Sequence, residues 1–187
     1  IMCDFAQRVV MENIEKQFIR AGDISLHTVF AGPEDGEPII LLHGFPEFWY
    51  GWRAQIPVLA EAGYRVIVPD QRGYNLSEKP SDVRSYSVET LTNDVKALIA
   101  TLGYEQVYLV GHDWGAAVAW AVALRYPDLL KKLVIINVPH PSVLQKEFQS
   151  FNLQQLSKSW YMGFFQLPAL PEALLRANDF QAMARAM

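Results

Sequence analysis

The stretch QVYLVGHDWGAAVAW, residues 106–120, decides the fold. Its first part, residues 106–110, is apolar and typical of a buried strand. Its last part opens a run of small apolar residues, 116–126, that predicts a helix ending before a proline. Between the two, Gly111 and Gly115 frame Asp113 with the spacing of a nucleophile elbow, a sharp turn that joins a strand to a helix and exposes one reactive side chain.

Short apolar runs alternate with helical patterns on both sides of this stretch. Predicted strands cover residues 16–20, 24–31, 39–42, 64–69, 106–110 and 133–137, the first two as a hairpin. Predicted helices cover residues 49–62, with a break or restart at Pro57, then 88–102 and 116–126. Alternation of this kind implies right-handed crossovers, so we predict an α/β fold with a mostly parallel sheet covered by helices on both faces.

The pattern changes near Pro139, after which the sequence is helical and aromatic with no strand signal. We therefore predict three parts: an N-terminal extension at residues 1–15, the core at residues 16–138, and the beginning of a helical cap at residues 139–187. The final residues read as a helix without a stop signal, so we expect the fold to be incomplete at this end.

Composition excludes several classes of protein. The chain has 187 residues, of which 51% are hydrophobic and 19% charged, as expected for one globular domain. A net charge of −4 with scattered basic residues argues against nucleic-acid binding. No apolar run approaches the roughly 18 residues of a membrane span. The single cysteine, Cys3, cannot form an internal disulfide, which favours a cytoplasmic location.

A carboxylate at position 113 restricts the chemistry. The positive end of the following helix favours the charged form of Asp113. Attack on an acyl group would give a reactive anhydride, whereas attack on an sp3 carbon that bears a leaving group gives an alkyl ester that water can cleave. Epoxides and alkyl halides are therefore the expected substrates. The structural alternative is that Asp113 only caps the helix.

The segment at residues 43–46, HGFP, follows a predicted buried strand at the end where parallel sheets bind ligands. The backbone N–H groups of Phe45 and Trp114 are expected to form an oxyanion hole facing Asp113. We assign local structural roles to His43, to His112 and to His140, and we expect His27, on the hairpin, to face solvent; the four are the histidines of the chain.

Four segments together resemble the α/β-hydrolase-fold epoxide hydrolases: HGFPEFWY at 43–50, DQRGY at 70–74, GHDWG at 111–115 and NVPHP at 137–141. The resemblance implies hydrolysis of a small hydrophobic epoxide to a vicinal diol without a metal or organic cofactor. It assigns Asp113 as the nucleophile and Phe45 with Trp114 as the oxyanion hole. It also implies a cis peptide bond between Phe45 and Pro46.

The same resemblance implies a cap tyrosine that donates a proton to the opening epoxide, and Tyr161 matches it. The alternative is that Tyr161 packs in the core of the cap. Phe45, Trp114 and Phe164 would line an apolar substrate pocket. The second cap tyrosine, the relay carboxylate and the base histidine of the family have no match in this sequence, so we expect a C-terminal segment or a second chain to complete the fold.

Two other functions remain open at this stage. Haloalkane dehalogenases share the aspartate nucleophile and the following tryptophan, but they usually place a halide-binding asparagine where this chain has Phe45. The second alternative is a truncated or non-catalytic protein of the same fold that lacks the base.

Overall fold

The computed structural model describes residues 14–149, 164, 167 and 170–176. The strands are β1 (Glu15–Ala21), β2 (Ile24–Ala31), β3 (Glu37–Leu42), β4 (Tyr64–Pro69), β5 (Val107–His112) and β6 (Leu130–Ile136). The helices are α1 (Gln55–Glu61), α2 (Val88–Thr101), α3 (Trp114–Arg125), α4 (Pro141–Gln149) and α5 (Leu170–Arg176). Short 3-10 turns lie at Trp49–Trp52, Val83–Tyr86 and Pro127–Leu129.

The six strands form one sheet in the order β1-β2-β4-β3-β5-β6. β1 and β2 are an antiparallel hairpin, and β2 also runs antiparallel to β4. The pairs from β4 through β3 and β5 to β6 are all parallel. The predicted α/β fold with a mostly parallel sheet is confirmed.

The continuous apolar runs arise because helices cover both faces of the central strands. In β3, Ile40 and Leu42 face the core that α2 and α3 cover. Ile39 and Leu41 face the opposite core, which contains the tryptophan turn and α1. Since successive side chains of a strand alternate between faces, a strand buried on both faces must be apolar at every position.

The region predicted as one helix at residues 49–62 is two elements. A 3-10 turn at Trp49–Trp52 precedes α1, which begins at Gln55. The break or restart predicted at Pro57 lies two residues earlier, because α1 begins at Gln55 and Pro57 is in its first turn. The first N–H groups of a helix have no partner within the helix, so a proline there removes no hydrogen bond.

The prediction that His27 faces solvent is also wrong. Its side chain is buried, and Nδ1 lies 2.7 Å from Oδ2 of Asp70. The strand that carries it, β2, is an interior strand with β1 on one side and β4 on the other. The partner of the side chain, Asp70, belongs to the segment that follows β4, so alternation along the hairpin alone does not reveal the burial.

The chain divides into two compact units, Ile1–Pro139 and His140–Met187. The first contains the sheet with α1 to α3, and the second contains α4 and α5. The predicted boundary between core and cap lies one residue earlier, at Val138–Pro139. In the described part of the chain, no helix combines the length and the apolar character needed to cross a membrane.

Candidate active site

The turn between β5 and α3 has an unusual backbone. Asp113 is its single connecting residue, with φ 49° and ψ −118°. Positive φ is uncommon for any residue other than glycine and persists only where the surroundings enforce it. The flanking glycines permit the turn: a Cβ on Gly111 would lie 2.6 Å from the Cα of Ala116, and one on Gly115 would lie 2.5 Å from the carbonyl oxygen of Leu42. The helix therefore starts in direct contact with the strand ends.

The side chain of Asp113 is directed at the loop after β3 rather than at the start of α3. Among the described residues, it accepts no hydrogen bond from the N–H groups of α3. Its Oδ1 instead accepts a hydrogen bond from the backbone N–H of Phe45 at 3.1 Å. A Cβ on Gly44 would lie 2.7 Å from the Cβ of Asp113, so glycine is needed for the loop to approach so closely.

The loop after β3 presents aromatic side chains beside this contact. The Phe45–Pro46 peptide bond is cis, as the resemblance implies. Phe45 is 47% exposed, and Trp114 is 40% exposed. A carboxylate with apolar rings on both adjoining segments suits an uncharged, apolar electrophile better than a charged one.

His43 is fully buried behind this loop and hydrogen-bonds at both ring nitrogens. Its Nε2 accepts from the backbone N–H of Gln71 at 3.0 Å, and its Nδ1 lies 2.9 Å from the carbonyl oxygen of Gly44. Burial lowers the pKa of His43 below its ordinary 6.5, although the carbonyl of Gly44 and the carboxylates of Asp70 and Glu47 oppose the shift. The ring is therefore neutral at neutral pH.

Tyr74 joins the site from the loop that follows β4, a contribution that the sequence did not predict. Its ring packs edge-on against His43 with the centroids 4.8 Å apart. Burial, together with the charge of Asp113, raises the pKa of Tyr74 to about 12, so its phenol keeps its proton. The available signal was the DQRGY segment, which lies in a polar loop at the ligand-binding end of the sheet.

The other histidines make local contacts. Nδ1 of His112 lies 3.3 Å from Oε2 of Glu47, and its Nε2 lies 3.2 Å from Nδ2 of Asn137. His140 accepts from the backbone N–H of Ser142 at the start of α4. The described ranges also contain no group of three or more His, Cys, Asp or Glu side chains arranged as metal ligands.

The structure thus brings together Phe45 and Asp113, with Trp114 next in sequence as the first residue of α3. Phe164 is half-buried within the second unit. Tyr161 lies outside the described residues. The pocket wall and the proton donor that depend on these two residues stay predictions.

Comparison with known proteins identifies relatives along nearly the whole chain. A family profile described as alpha/beta hydrolase fold matches residues 37–182. The AB hydrolase superfamily protein YfhM of Bacillus subtilis is 50% identical over 177 residues, which cover 95% of this chain and 62% of that protein. Epoxide hydrolase 4 of Mus musculus is 43% identical over 166 residues, which cover 88% of this chain and 45% of that protein.

Solved structures agree with these relatives. A mutant epoxide hydrolase from Bacillus megaterium, complexed with its product, superposes with a TM-score of 0.84 at 37% identity, covering 91% of this chain and 58% of that one. Epoxide hydrolase A from Mycobacterium thermoresistibile gives a TM-score of 0.78 at 36% identity, covering 87% and 52%. The chain spans about half the length of the proteins it matches.

Proposed function

This chain belongs to the α/β hydrolase fold family. On that premise, we propose that its activity is that of an epoxide hydrolase and that Asp113 is the nucleophile. The single observation that carries the proposal is the orientation of the Asp113 side chain. The carboxylate stands on a strained corner, does not cap its own helix among the described residues, and faces the Phe45 N–H. A merely structural aspartate at this position would be expected to bond to the helix that it precedes.

In the first step, the free carboxylate oxygen of Asp113 attacks a ring carbon of the epoxide. A new carbon–oxygen bond forms as the ring carbon–oxygen bond breaks, and the released alkoxide takes a proton from an acid. The phenol of Tyr161 is the proposed acid, because an alkoxide is basic enough to take a proton from a group with a pKa near 10. The product is an alkyl ester of Asp113.

In the second step, water adds to the carbonyl carbon of that ester with the help of a base that has no match in this sequence, and the bond between the carbonyl carbon and the alkyl oxygen breaks. One proton of the water leaves with the diol and the other restores the acid, so the carboxylate is regenerated. The carboxyl oxygen that did not attack carries negative charge in the tetrahedral intermediate. The Phe45 N–H already bonds to one carboxyl oxygen in the free protein, and the Trp114 N–H is the proposed second donor. One such donor is typically worth about 3 to 4 kcal/mol of barrier lowering.

The substrate is proposed to be a small, hydrophobic epoxide. The exposed residues Phe45 and Trp114 are proposed to line the space beside the carboxylate, and Phe164 is the proposed third wall. A haloalkane is the competing electrophile, but the side chain at position 45 is a phenyl ring, which has no N–H to hold a departing halide.

We also propose that a further segment or a second chain covers the β6 edge. Leu133 and Ile135 pack against the core beneath α2 and α3, whereas Val134 and Ile136 face the other side and are 50% and 36% exposed. Uncovered apolar side chains on an edge strand favour pairing with another strand. Hydrogen exchange at the β6 amides that do not bond to β5 tests this proposal. Slow exchange at these amides in the assembled protein would support the pairing, and fast exchange there would contradict it.

The experiment for the proposed function measures adduct formation. The protein is mixed with styrene oxide, quenched in acid at increasing times, and weighed intact by mass spectrometry. We expect one added epoxide per chain. Release of the diol is expected only where the base that activates the hydrolytic water is supplied, because this sequence has no match to that base. A parallel reaction with a 1-haloalkane is expected to release no halide. Halide release without epoxide addition would replace the proposal with a dehalogenase, and no adduct from either reagent would remove the nucleophile.

A further inference from the structure

We propose that His43 is a positioning residue, whose imidazole holds the peptide group between Gly44 and Phe45 so that the Phe45 N–H aims at Asp113. The inference rests on the proposed function. In it, the His43 side chain does not touch substrate but orients the Phe45 N–H, one of the two oxyanion-hole donors. The inference is argued from three hydrogen-bond contacts of the peptide group between Gly44 and Phe45. A fourth contact, from Gln71, determines which nitrogen of the imidazole carries the proton.

The carbonyl of Gly44 and the N–H of Phe45 belong to the same peptide group. The carbonyl oxygen of Gly44 lies 2.9 Å from Nδ1 of His43 and accepts a hydrogen bond from the N–H of Glu47 at 3.0 Å. The N–H of Phe45, at the other end of the group, donates to Oδ1 of Asp113 at 3.1 Å. Because a trans peptide is planar with its C=O and N–H pointing in opposite directions, fixing the oxygen fixes the direction of the N–H.

Gln71 determines which nitrogen of His43 carries the proton. Its backbone N–H donates to Nε2 of His43 at 3.0 Å, so this nitrogen must hold a lone pair. A neutral imidazole has one N–H, which is then at Nδ1, and that N–H donates to the carbonyl of Gly44. The side chain of Gln71 adds a second clamp by donating to the carbonyl oxygen of His43 at 2.6 Å.

The surroundings of the ring keep it neutral in spite of nearby negative charge. Burial lowers the pKa of His43, while Asp70 and Glu47 raise it in part. The Tyr74 ring packs against the imidazole in a T-shaped arrangement, and Asp113 lies on the far side of the Gly44–Phe45 peptide. A proton added at Nε2 in acid would face the Gln71 N–H, donor against donor, and would break the contact that orients the ring.

The first test reads the tautomer directly. Nitrogen-15 NMR of the histidine-labelled protein at neutral pH should show Nε2 of His43 without a proton and Nδ1 with one. The opposite tautomer, or a charged ring, would overturn the proposal. This measurement needs no substrate, so its result does not depend on whether the protein opens epoxides.

The second test uses two substitutions that each keep one half of the imidazole. His43→Asn places an amide N–H near the position of Nδ1 and keeps the donor to Gly44, whereas His43→Gln places its amide near Nε2 and loses that donor. Adduct formation on Asp113 should slow by roughly 10- to 100-fold in His43→Gln and by less than about 3-fold in His43→Asn. The Asn variant should also lose any acid limb of the rate profile that the wild type shows, because its amide does not titrate.

Two outcomes would overturn the positioning role. One is equal slowing of both variants with the acid limb unchanged, which is what a general loss of packing produces. The other is an unchanged rate in His43→Gln. If neither variant folds, the tautomer measurement on the wild type decides alone. If the wild type forms no adduct but shows the expected tautomer, the proposed function fails, but the hydrogen bond by which His43 holds the Gly44–Phe45 peptide is still supported.

Discussion

Asp70 and Asp113 occupy the same kind of position, each directly after the carboxyl end of a parallel strand, yet their surroundings are opposite. Asp70 is fully buried; its Oδ1 accepts from the backbone N–H of Trp49 at 2.9 Å, and its Oδ2 meets His27 at 2.7 Å and Asn75 at 2.8 Å. Asp113 is only partly buried and has a positive φ.

The difference separates a structural carboxylate from a reactive one. A buried carboxylate with hydrogen bonds on both oxygens is stabilised as it stands and has no lone pair directed at a ligand. A carboxylate on a strained turn, held on one oxygen by the backbone donors of the proposed mechanism, can direct its other oxygen at an electrophile. Substitutions that remove the charge at each position should therefore affect different properties of the protein.

The largest expected effect is on reactivity at position 113. Asp113→Asn keeps the shape of the side chain but removes the nucleophilic oxygen charge, so adduct formation should fall by more than about 1,000-fold. The free energy of unfolding should change by less than about 1 kcal/mol, because asparagine tolerates positive φ. Intact-mass time courses and urea unfolding measure the two quantities. A variant that still reacts at the wild-type rate would place the nucleophile elsewhere.

At position 70, we expect a large effect on stability. Asp70→Asn replaces an acceptor oxygen with an N–H donor, so one of the groups that bond to Asp70 loses its partner inside the core. We expect a loss of about 3 kcal/mol in the free energy of unfolding, measured from urea midpoints. Asp35→Asn, at an exposed turn, is the matched control and should change stability by less than about 0.5 kcal/mol. Equal effects of the two substitutions would contradict the structural role of Asp70.

Gly44→Ala tests the close approach that connects the loop to Asp113. The added methyl group would overlap the Cβ of Asp113, so we expect a loss of about 2 kcal/mol in stability and slower adduct formation. Gly51→Ala is the control, because the neighbour nearest to its methyl group would be the flexible carboxylate end of Glu47, and the Cβ of that residue would be in ordinary contact. Calorimetric unfolding of both variants provides the comparison, and a Gly44→Ala protein as stable and reactive as the control would disprove the contact.

The smallest effect is the pH dependence that His43 contributes. Its pKa is lower in the folded protein than the ordinary 6.5, so below pH 6.5 the unfolded chain binds a proton that the folded protein still excludes. Stability should therefore decrease as the pH falls from 6.5 towards the folded pKa, by at most about 1.4 kcal/mol per pH unit. Urea unfolding over this range should show a shallower slope for His43→Asn than for the wild type. Parallel slopes would show that His43 does not titrate as described.

The sequence predicted the parts of the fold that depend on local patterns. The span of β4 was predicted to the residue, and the apolar runs identified the strands that helices cover on both faces. Within the first helical region, residues 49–62, the position where the helix starts again was less well predicted, because a proline is compatible with the first turn of a helix as well as with a break. Local periodicity cannot separate these two cases.

The site was predictable where a short motif creates it and unpredictable where distant residues meet. The glycines around Asp113 encode the strained corner within five residues. The burial of His27 depends on Asp70, 43 residues away, and the packing of Tyr74 against His43 depends on two separate loops. Such contacts follow from the order of strands in the sheet, which the sequence pattern alone does not determine.

The most direct test of the central claim is to locate the epoxide adduct in the chain. After reaction with styrene oxide and acid quenching, proteolysis and tandem mass spectrometry should place the added mass on Asp113, with Asp70 unmodified in the same sample. Adduct on Asp70, or on any residue other than Asp113 with Asp113 unmodified, would contradict the assignment of the strained, partly exposed carboxylate as the nucleophile.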